Sequence, residues 1–286
     1  MTNEDNPYEK RIRFIEEELV VPRFAMHVPH SYERAMTAPV YDPPIPYEGE
    51  RYPLPPANMR GSYSPENDDE YIYYGKQHKG IVESLFLDHY QSTNTGSRPG
   101  SILDYGCYTG RVLRHFLSDP DWAETSFLGC DIQSDPILWN RKYLSDRARF
   151  FTSSFMPHLP LADNSVDAIY GISVFTHTKY LWDMWLMELE RVMTPGGIMV
   201  QTVQTERAWR YYHENRDVDW VKAGHPQSML QQPEMTDDFY FWGNTITSQC
   251  FYKKEALIDL WSHYFEVVAY VEPNETFQDF IALSKR

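Results

Sequence analysis

The stretch Ile102-Leu103-Asp104-Tyr105-Gly106-Cys107-Tyr108-Thr109-Gly110-Arg111 decides how the rest of the chain is read. Residues 101–105 have the apolar, strand-forming character of a buried strand. Gly106 and Gly110 let the backbone turn tightly and approach a ligand. From Arg111 to Leu117, the residues Val112, Leu113, Phe116 and Leu117 fall on one helical face. Strand, glycine turn and helix in immediate succession form the opening unit of an α/β sheet. The helix start aims free backbone N–H groups at the turn, where open sheets bind their ligands.

The same grammar continues downstream. Residues 127–131 predict a second strand. Residues 135–143 predict a helix with Pro136 suited to its first turn. Residues 149–151 and 168–172 predict a third and a fourth strand. Residues 180–193 form an amphipathic helix with Trp182, Trp185, Leu186, Leu189, Val192 and Met193 at helical spacing. Thr194-Pro195-Gly196-Gly197 stops it, and residues 198–203 are a fifth strand. Leu257, Leu260, Trp261 and Tyr264 mark another helix. Residues 266–271 and 280–283 read as two strands whose short connection, around Pro273-Asn274-Glu275, makes them antiparallel. The fold class is therefore α/β: a doubly wound, seven-stranded, mostly parallel sheet with helices on both faces and an antiparallel last strand.

Two regions stand outside that alternation. Residues 204–250 hold Trp209, Tyr211, Tyr212, Trp220, Phe239, Tyr240, Phe241 and Trp242 without sustained periodicity, and are expected to be a lid inserted after the fifth strand. Eleven of the 20 prolines lie in the first 66 residues. Residues 1–66 are therefore expected to be an extended arm packing on a body of residues 67–286, with a helical pattern only at 8–20 through Ile12, Ile15 and Leu19.

Composition limits the partners. The chain has 286 residues, 42% of them hydrophobic, enough for one large domain with an appendage. Its 26 Lys and Arg against 41 Asp and Glu give a net charge of −15. Such a surface repels polyphosphates and anionic bilayers, so no nucleic-acid partner is expected. No run of about 18 apolar residues is present, so no membrane insertion is expected either. The start of the chain is acidic and carries no apolar leader. The three cysteines, Cys107, Cys130 and Cys250, fit neither a metal site nor a disulfide framework, which predicts a reducing, cytoplasmic setting. The 8 Trp, 21 Tyr and 15 Phe suit either an aromatic core or an aromatic pocket. The oligomeric state is left open.

At the expected strand ends, Asp131 closes the second strand, where its carboxylate can accept two ribose hydroxyls. A charge-assisted bond of this kind contributes about 1.5–3 kcal/mol. The turn is not a dinucleotide fingerprint, because Tyr108 and Arg111 stand where glycine or a small residue is needed, and no Gly-Lys-Ser/Thr follows for a phosphate loop. The acid inside the turn, Asp104, suits a cationic ligand better than an anionic one.

This turn resembles the first motif of class I S-adenosylmethionine-dependent methyltransferases. Gly129-Cys130-Asp131-Ile132 resembles their second motif. The segments 159–167, 173–177 and 189–197 match further family segments in the right order, so the resemblance covers roughly residues 70–203 and the closing strands. It implies S-adenosylmethionine as cofactor. By position, Gly106, Cys107 and Gly110 would contact its methionine and ribose portions, and Asp104 would organise the loop and the ammonium. Asp131 would hold the ribose diol and Ile132 would lie on adenine. Ser154 and Phe155 would bracket the adenine edge, and Ser173 would offer backbone near the sulfonium. Tyr74 and His78 lie in the segment that closes over the cofactor in such enzymes. Tyr108 departs from the family pattern, so its ring must point away from the cofactor or reshape the site.

The implied activity is methyl transfer to a small or medium-sized acceptor: a natural product, a sugar or a peptide-like compound. Oxygen is favoured as the methylated atom on what related enzymes commonly do. A hydroxyl nucleophile can need a general base. His177, after the fourth strand, is the first candidate, followed by His213 and His225 in the expected lid. The segment 171–175 begins like a serine-hydrolase elbow but lacks the closing glycine. No histidine pair has metal-ligand spacing with carboxylate support, so no metal is expected. Two other classes remain: a scaffold or regulatory subunit that keeps the fold, and a cofactor-dependent enzyme of other chemistry, such as a cyclase. The fold alone does not choose among them.

Overall fold

A computed structural model describes residues 46–61, 67–93, 96–179, 181–243 and 248–286. The helical pattern at 8–20, and most of the expected arm, lie outside the described residues.

Among the described residues the body is built on nine strands: β1 Ser101–Tyr105, β2 Ser126–Asp131, β3 Ala148–Thr152, β4 Val166–Gly171, β5 Met193–Val203, β6 Phe239–Trp242, β7 Gln249–Tyr252, β8 Glu266–Val271 and β9 Asp279–Ser284. Seven of them form one sheet in the order β3-β2-β1-β4-β5-β9-β8. Strands β1 to β5 pair in parallel, while β9 runs antiparallel to both β5 and β8. The expected doubly wound sheet with an antiparallel last strand is thus the observed one. Strand order reverses between β1 and β4, which puts the switch point beside the stretch at 102–111.

The period of two along the strands divides the core into two layers. Ile102, Ala168, Tyr170, Ile198 and Val200 face one layer, with α1 (Asp68–Thr93), α2 (Leu113–Ser118) and α3 (Ser134–Tyr143) packed on them. Leu103, Tyr105, Ile169 and Met199 face the other, under α4 (Trp182–Val192) and the helix Lys254–Trp261. Every strand and helix expected downstream of residue 100 is present, with ends displaced by a few residues. The largest displacement is in β5, which starts at Met193 because Met193 pairs with Val166 across a bulge.

The 26-residue helix α1 was not expected. Its buried stripe includes Tyr71, Gly75, His78, Val82, Leu85, Phe86 and His89. The spacing is helical, but a glycine and two histidines interrupt the apolar signal. Residues 46–61 lie on the body rather than beside it. Leu54 and Tyr52 are buried, Tyr52 donates to Asp146 at 2.9 Å, and Arg114 donates to the carbonyls of Pro53 and Tyr52.

Residues 204–250 are more regular than their sequence suggests. They contain α5 (Glu206–Glu214), α6 (Asp219–Gly224), α7 (Gln227–Leu230) and the β6–β7 hairpin. They share a small core of their own around Trp209, Tyr212, Val221, Leu230 and Phe251. Arg207 fastens this insertion to the β8–β9 turn. Its Nε donates to Asp279 at 2.6 Å, and its other nitrogens reach the carbonyls of Pro273, Thr276 and Gln278. The three cysteines are free and buried. Among the described residues, no helix is long and apolar enough to cross a membrane.

Candidate functional site

Above the carboxyl ends of β1, β2, β3 and β4 lies one cavity of about 1670 Å³. A cleft for one drug-sized ligand is roughly 300–1,000 Å³, so this one has room for two molecules side by side. Its floor comes from the strand-end loops, and its far wall from the insertion and the β8–β9 turn.

The β1 loop is held by backbone geometry. The amides of Gly106 and Cys107 both donate to the carbonyl of Cys130, at 2.8 and 2.9 Å. Gly106 has φ +76°, and a Cβ there would lie 2.4 Å from Cγ2 of Val174. Any other residue type would strain the backbone and push the Val174 side chain aside. Asp131 anchors the loop from β2. Its Oδ2 accepts the amide of Tyr108 at 2.9 Å and its Oδ1 that of Gln133 at 2.8 Å. The carboxylate keeps acceptor capacity for a further donor. Tyr108 itself has φ +45°, and its ring edge lies 3.8 Å from where a Cβ on Gly61 would sit. The ring thus leans toward Gly61 of the N-terminal segment, and both residues line the cavity.

Asp104 and Asp131 are both buried. Burial raises Asp104 to about 7, against the hydroxyl of Tyr170 that donates to it at 2.8 Å, and the charge of Asp131 adds to the rise. Burial likewise raises Asp131 to about 6, against its bonds from the backbone amides. Arg111 is the cation whose charge is felt at Asp104, and it offsets only part of this. Two buried carboxyls of this kind suit a ligand that brings positive charge and hydroxyl donors. Burial pushes the Cys107 thiol well up, so it is not a ready nucleophile.

Other residues singled out by sequence converge on the same cavity. Tyr74 and His78 come from α1, Ile132 follows β2, Ser154 and Phe155 follow β3, and Ser173 follows β4. Ser173 has φ +60°, its amide donates to Thr202 at 2.7 Å, and its hydroxyl donates to Gln278 at 2.9 Å. A non-glycine residue held there is the kind of local strain found at ligand sites. His177 and His225 also line the cavity.

Two expected residues do not line it. Gly110 turns into the protein, where a Cβ would meet Leu144 at 2.8 Å. His213, in α5, instead bonds the carbonyl of Leu230 at 2.8 Å. The sequence reading missed Arg60 and Gly61 of the N-terminal segment, and Gln204, Phe277 and Gln278 of the far wall, while Trp242 comes from the expected lid. The aromatic excess and the expected lid were the signals for this wall.

Residues 103–201 match the family model described as a methyltransferase domain. Over 117 residues the chain is 32% identical to a sterol 24-C-methyltransferase of Gibberella zeae, covering 39% of this chain and 30% of that enzyme. Over 119 residues it is 24% identical to a fatty-acid O-methyltransferase of Mycolicibacterium smegmatis, covering 42% of each. The chain thus spans less than half the length of these curated relatives. Among solved structures, the PH0226 protein of Pyrococcus horikoshii OT3 shares the fold, with a TM-score of 0.51 and 17% identity over 79% of this chain and 95% of that one. The matched stretch contains the glycine turn, both buried acids and the β4 loop, so residues 103–201 carry a methyltransferase domain.

Proposed function

We propose that this protein transfers the methyl group of S-adenosylmethionine to a small-molecule acceptor, with oxygen as the methylated atom. The observation that carries the reading is the single cavity joining two buried, undercompensated carboxyls to an aromatic wall. The cofactor supplies a methyl carbon made electrophilic by positive sulfur. Asp131 would receive the ribose hydroxyls, Ile132, Ser154 and Phe155 would border adenine, and Asp104 with the loop from Gly106 to Tyr108 would hold the cationic amino-acid end. Ser173 would present backbone near the sulfonium. Tyr74, from α1, would close the side toward the N-terminal segment.

The protein's remaining task is to place a nucleophile in line and exclude water. Residues 204–250 would act as the lid that does this, and the N-terminal segment would complete the wall. The two curated relatives are named for a sterol and a fatty acid, both small molecules, which supports an acceptor of that scale. A setting such as natural-product biosynthesis fits the same picture.

The test is transfer of isotope-labelled methyl from S-adenosylmethionine into a pool of small hydroxyl compounds, followed by mass spectrometry. Label in a methyl ether, lost in Asp131→Ala, supports the reading. Binding of the cofactor without label in any pool component removes the activity, and no binding at all removes the cofactor assignment.

A further inference from the structure

The far half of the cavity contains a pair of histidines that cofactor binding does not require. His177 sits on the turn after β4, and His225 follows α6 in the insertion. Both line the cavity, and they are close enough for the charge of one to be felt at the other. Each ring is fixed through Nδ1 to a main-chain carbonyl: His177 to Ser248 at 2.6 Å and His225 to Val221 at 3.1 Å. A carbonyl only accepts, so Nδ1 carries the hydrogen in both rings and Nε2 carries the lone pair. The Nε2 of His225 is buried with no hydrogen-bond partner among the described residues. A buried, unpaired acceptor is costly, typically about 1–3 kcal/mol, and calls for a donor.

The surroundings say what kind of molecule would bring it. The His225 ring lies 3.9 Å from the ring of Tyr212. From Tyr212 a cluster of rings continues through Phe277, at 5.1 Å and tilted by 59°, to Tyr211, which stacks on Phe277 at 4.9 Å and 18°. Trp220 stacks beside it at 6.3 Å and 27°, and is half exposed. Rings that already meet one another face to face and edge to face suit a further ring as their partner. Burial lowers the basicity of both histidines, so they are neutral acceptors at neutral pH. A neutral Nε2 pairs with O–H and gains nothing from a carboxylate, which has no proton to offer.

We propose that His177 and His225 form the acceptor subsite, that the acceptor is a planar ring compound bearing a hydroxyl, and that Nε2 of His177 takes the hydroxyl proton. This rests on the methyl-transfer reading above. In the proton step the O–H bond breaks, its electron pair stays on oxygen, and the proton is bound by the Nε2 lone pair. His225 supplies the second acceptor contact that orients the hydroxyl. The competing reading is an anionic acceptor held by Arg210, which lines the same cavity.

The experiment uses the full chain saturated with S-adenosylhomocysteine and three probes of one skeleton: 2-naphthol, 2-naphthylamine and 2-naphthoate. Equilibrium binding is followed by probe fluorescence, and methylation by mass spectrometry with S-adenosylmethionine. The expected result is 2-naphthol bound at least tenfold tighter than 2-naphthoate and converted to its methyl ether. His177→Asn keeps a donor for the Ser248 carbonyl. It should weaken naphthol binding at least fivefold and lower kcat at least a hundredfold, with S-adenosylhomocysteine affinity within twofold of wild type. His225→Asn should raise KM more than it lowers kcat. Tighter binding of 2-naphthoate or 2-naphthylamine, no naphthol binding by the loaded protein, or unchanged naphthol binding and turnover in His177→Asn would each overturn the proposal. Failure of the wild type to bind S-adenosylhomocysteine would instead overturn the cofactor reading beneath it.

Discussion

The two halves of the cavity are built in different ways. The strand-end half is made of short loops leaving consecutive strands, and its shape is fixed by backbone: two amides on the Cys130 carbonyl, two on Asp131, and glycine at φ +76°. The far half is made of side chains from distant segments. Arg207 bridges to the β8–β9 turn, Tyr212 donates to Gln204 at 2.8 Å, and Gln204 donates to Gln249 at 2.9 Å. The first half is stiff and tied to the sheet. The second can be altered without disturbing the sheet, which is where acceptor specificity is expected to reside.

If that contrast holds, substitutions in the first half should affect fold and cofactor together, while those in the second should affect acceptor handling alone. The largest effect is expected at Gly106→Ala. The left-handed backbone and the 2.4 Å approach to Val174 together predict a loss of about 2–4 kcal/mol, read as a lowered thermal midpoint. An unchanged midpoint would mean the loop is softer than its hydrogen bonds suggest. Next comes Asp131→Ala, which should weaken S-adenosylmethionine binding by roughly tenfold to a hundredfold in calorimetry, the range of a charge-assisted hydrogen bond. Affinity equal to wild type would detach the ribose from β2.

A smaller, pH-dependent effect follows from Asp104, whose carboxyl is raised from 3.8 to about 7 by burial. A folded-state rise means the native protein holds the proton more tightly than the unfolded chain. The resulting stabilisation is complete below about pH 4 and is lost as pH rises through 7. Asp104→Asn cannot titrate. It should match wild type near pH 4 and gain relative stability up to pH 7 in ligand-free thermal unfolding; parallel curves would refute the buried titration. The smallest effect on the fold belongs to the far half. Trp220→Ala, at a half-exposed site, should raise the acceptor KM about threefold to tenfold. Cofactor affinity should stay within twofold, and a larger loss of it would join the two halves that the geometry separates.

The same contrast explains what could be read from the chain alone. Period-two strands, helical stripes and the Gly-Asp chemistry of the β1 and β2 ends are local signals. They located the seven-stranded sheet, Asp104, Asp131 and most of the strand-end residues. Gly110 was assigned to the ligand because it shares the turn, although its missing side chain makes room for Leu144 instead. Helix α1 escaped because Gly75, His78 and His89 occupy its buried stripe. The insertion is legible as a break in the alternation, but its regular structure is not, because its helices are short and its order depends on pairings such as Arg207 with Asp279, 72 residues away. His213 and His225 were indistinguishable in sequence. The structure places His225 in the cavity and turns His213 to Leu230 outside its lining.

The most direct test of the central claim is calorimetric titration of the intact protein with S-adenosylmethionine and then S-adenosylhomocysteine, repeated with Asp131→Ala. One molecule of either ligand bound per chain with micromolar affinity, falling at least tenfold in the variant, is the predicted result. A folded wild-type protein that takes up neither ligand, or a variant that binds both as well as wild type, would contradict it.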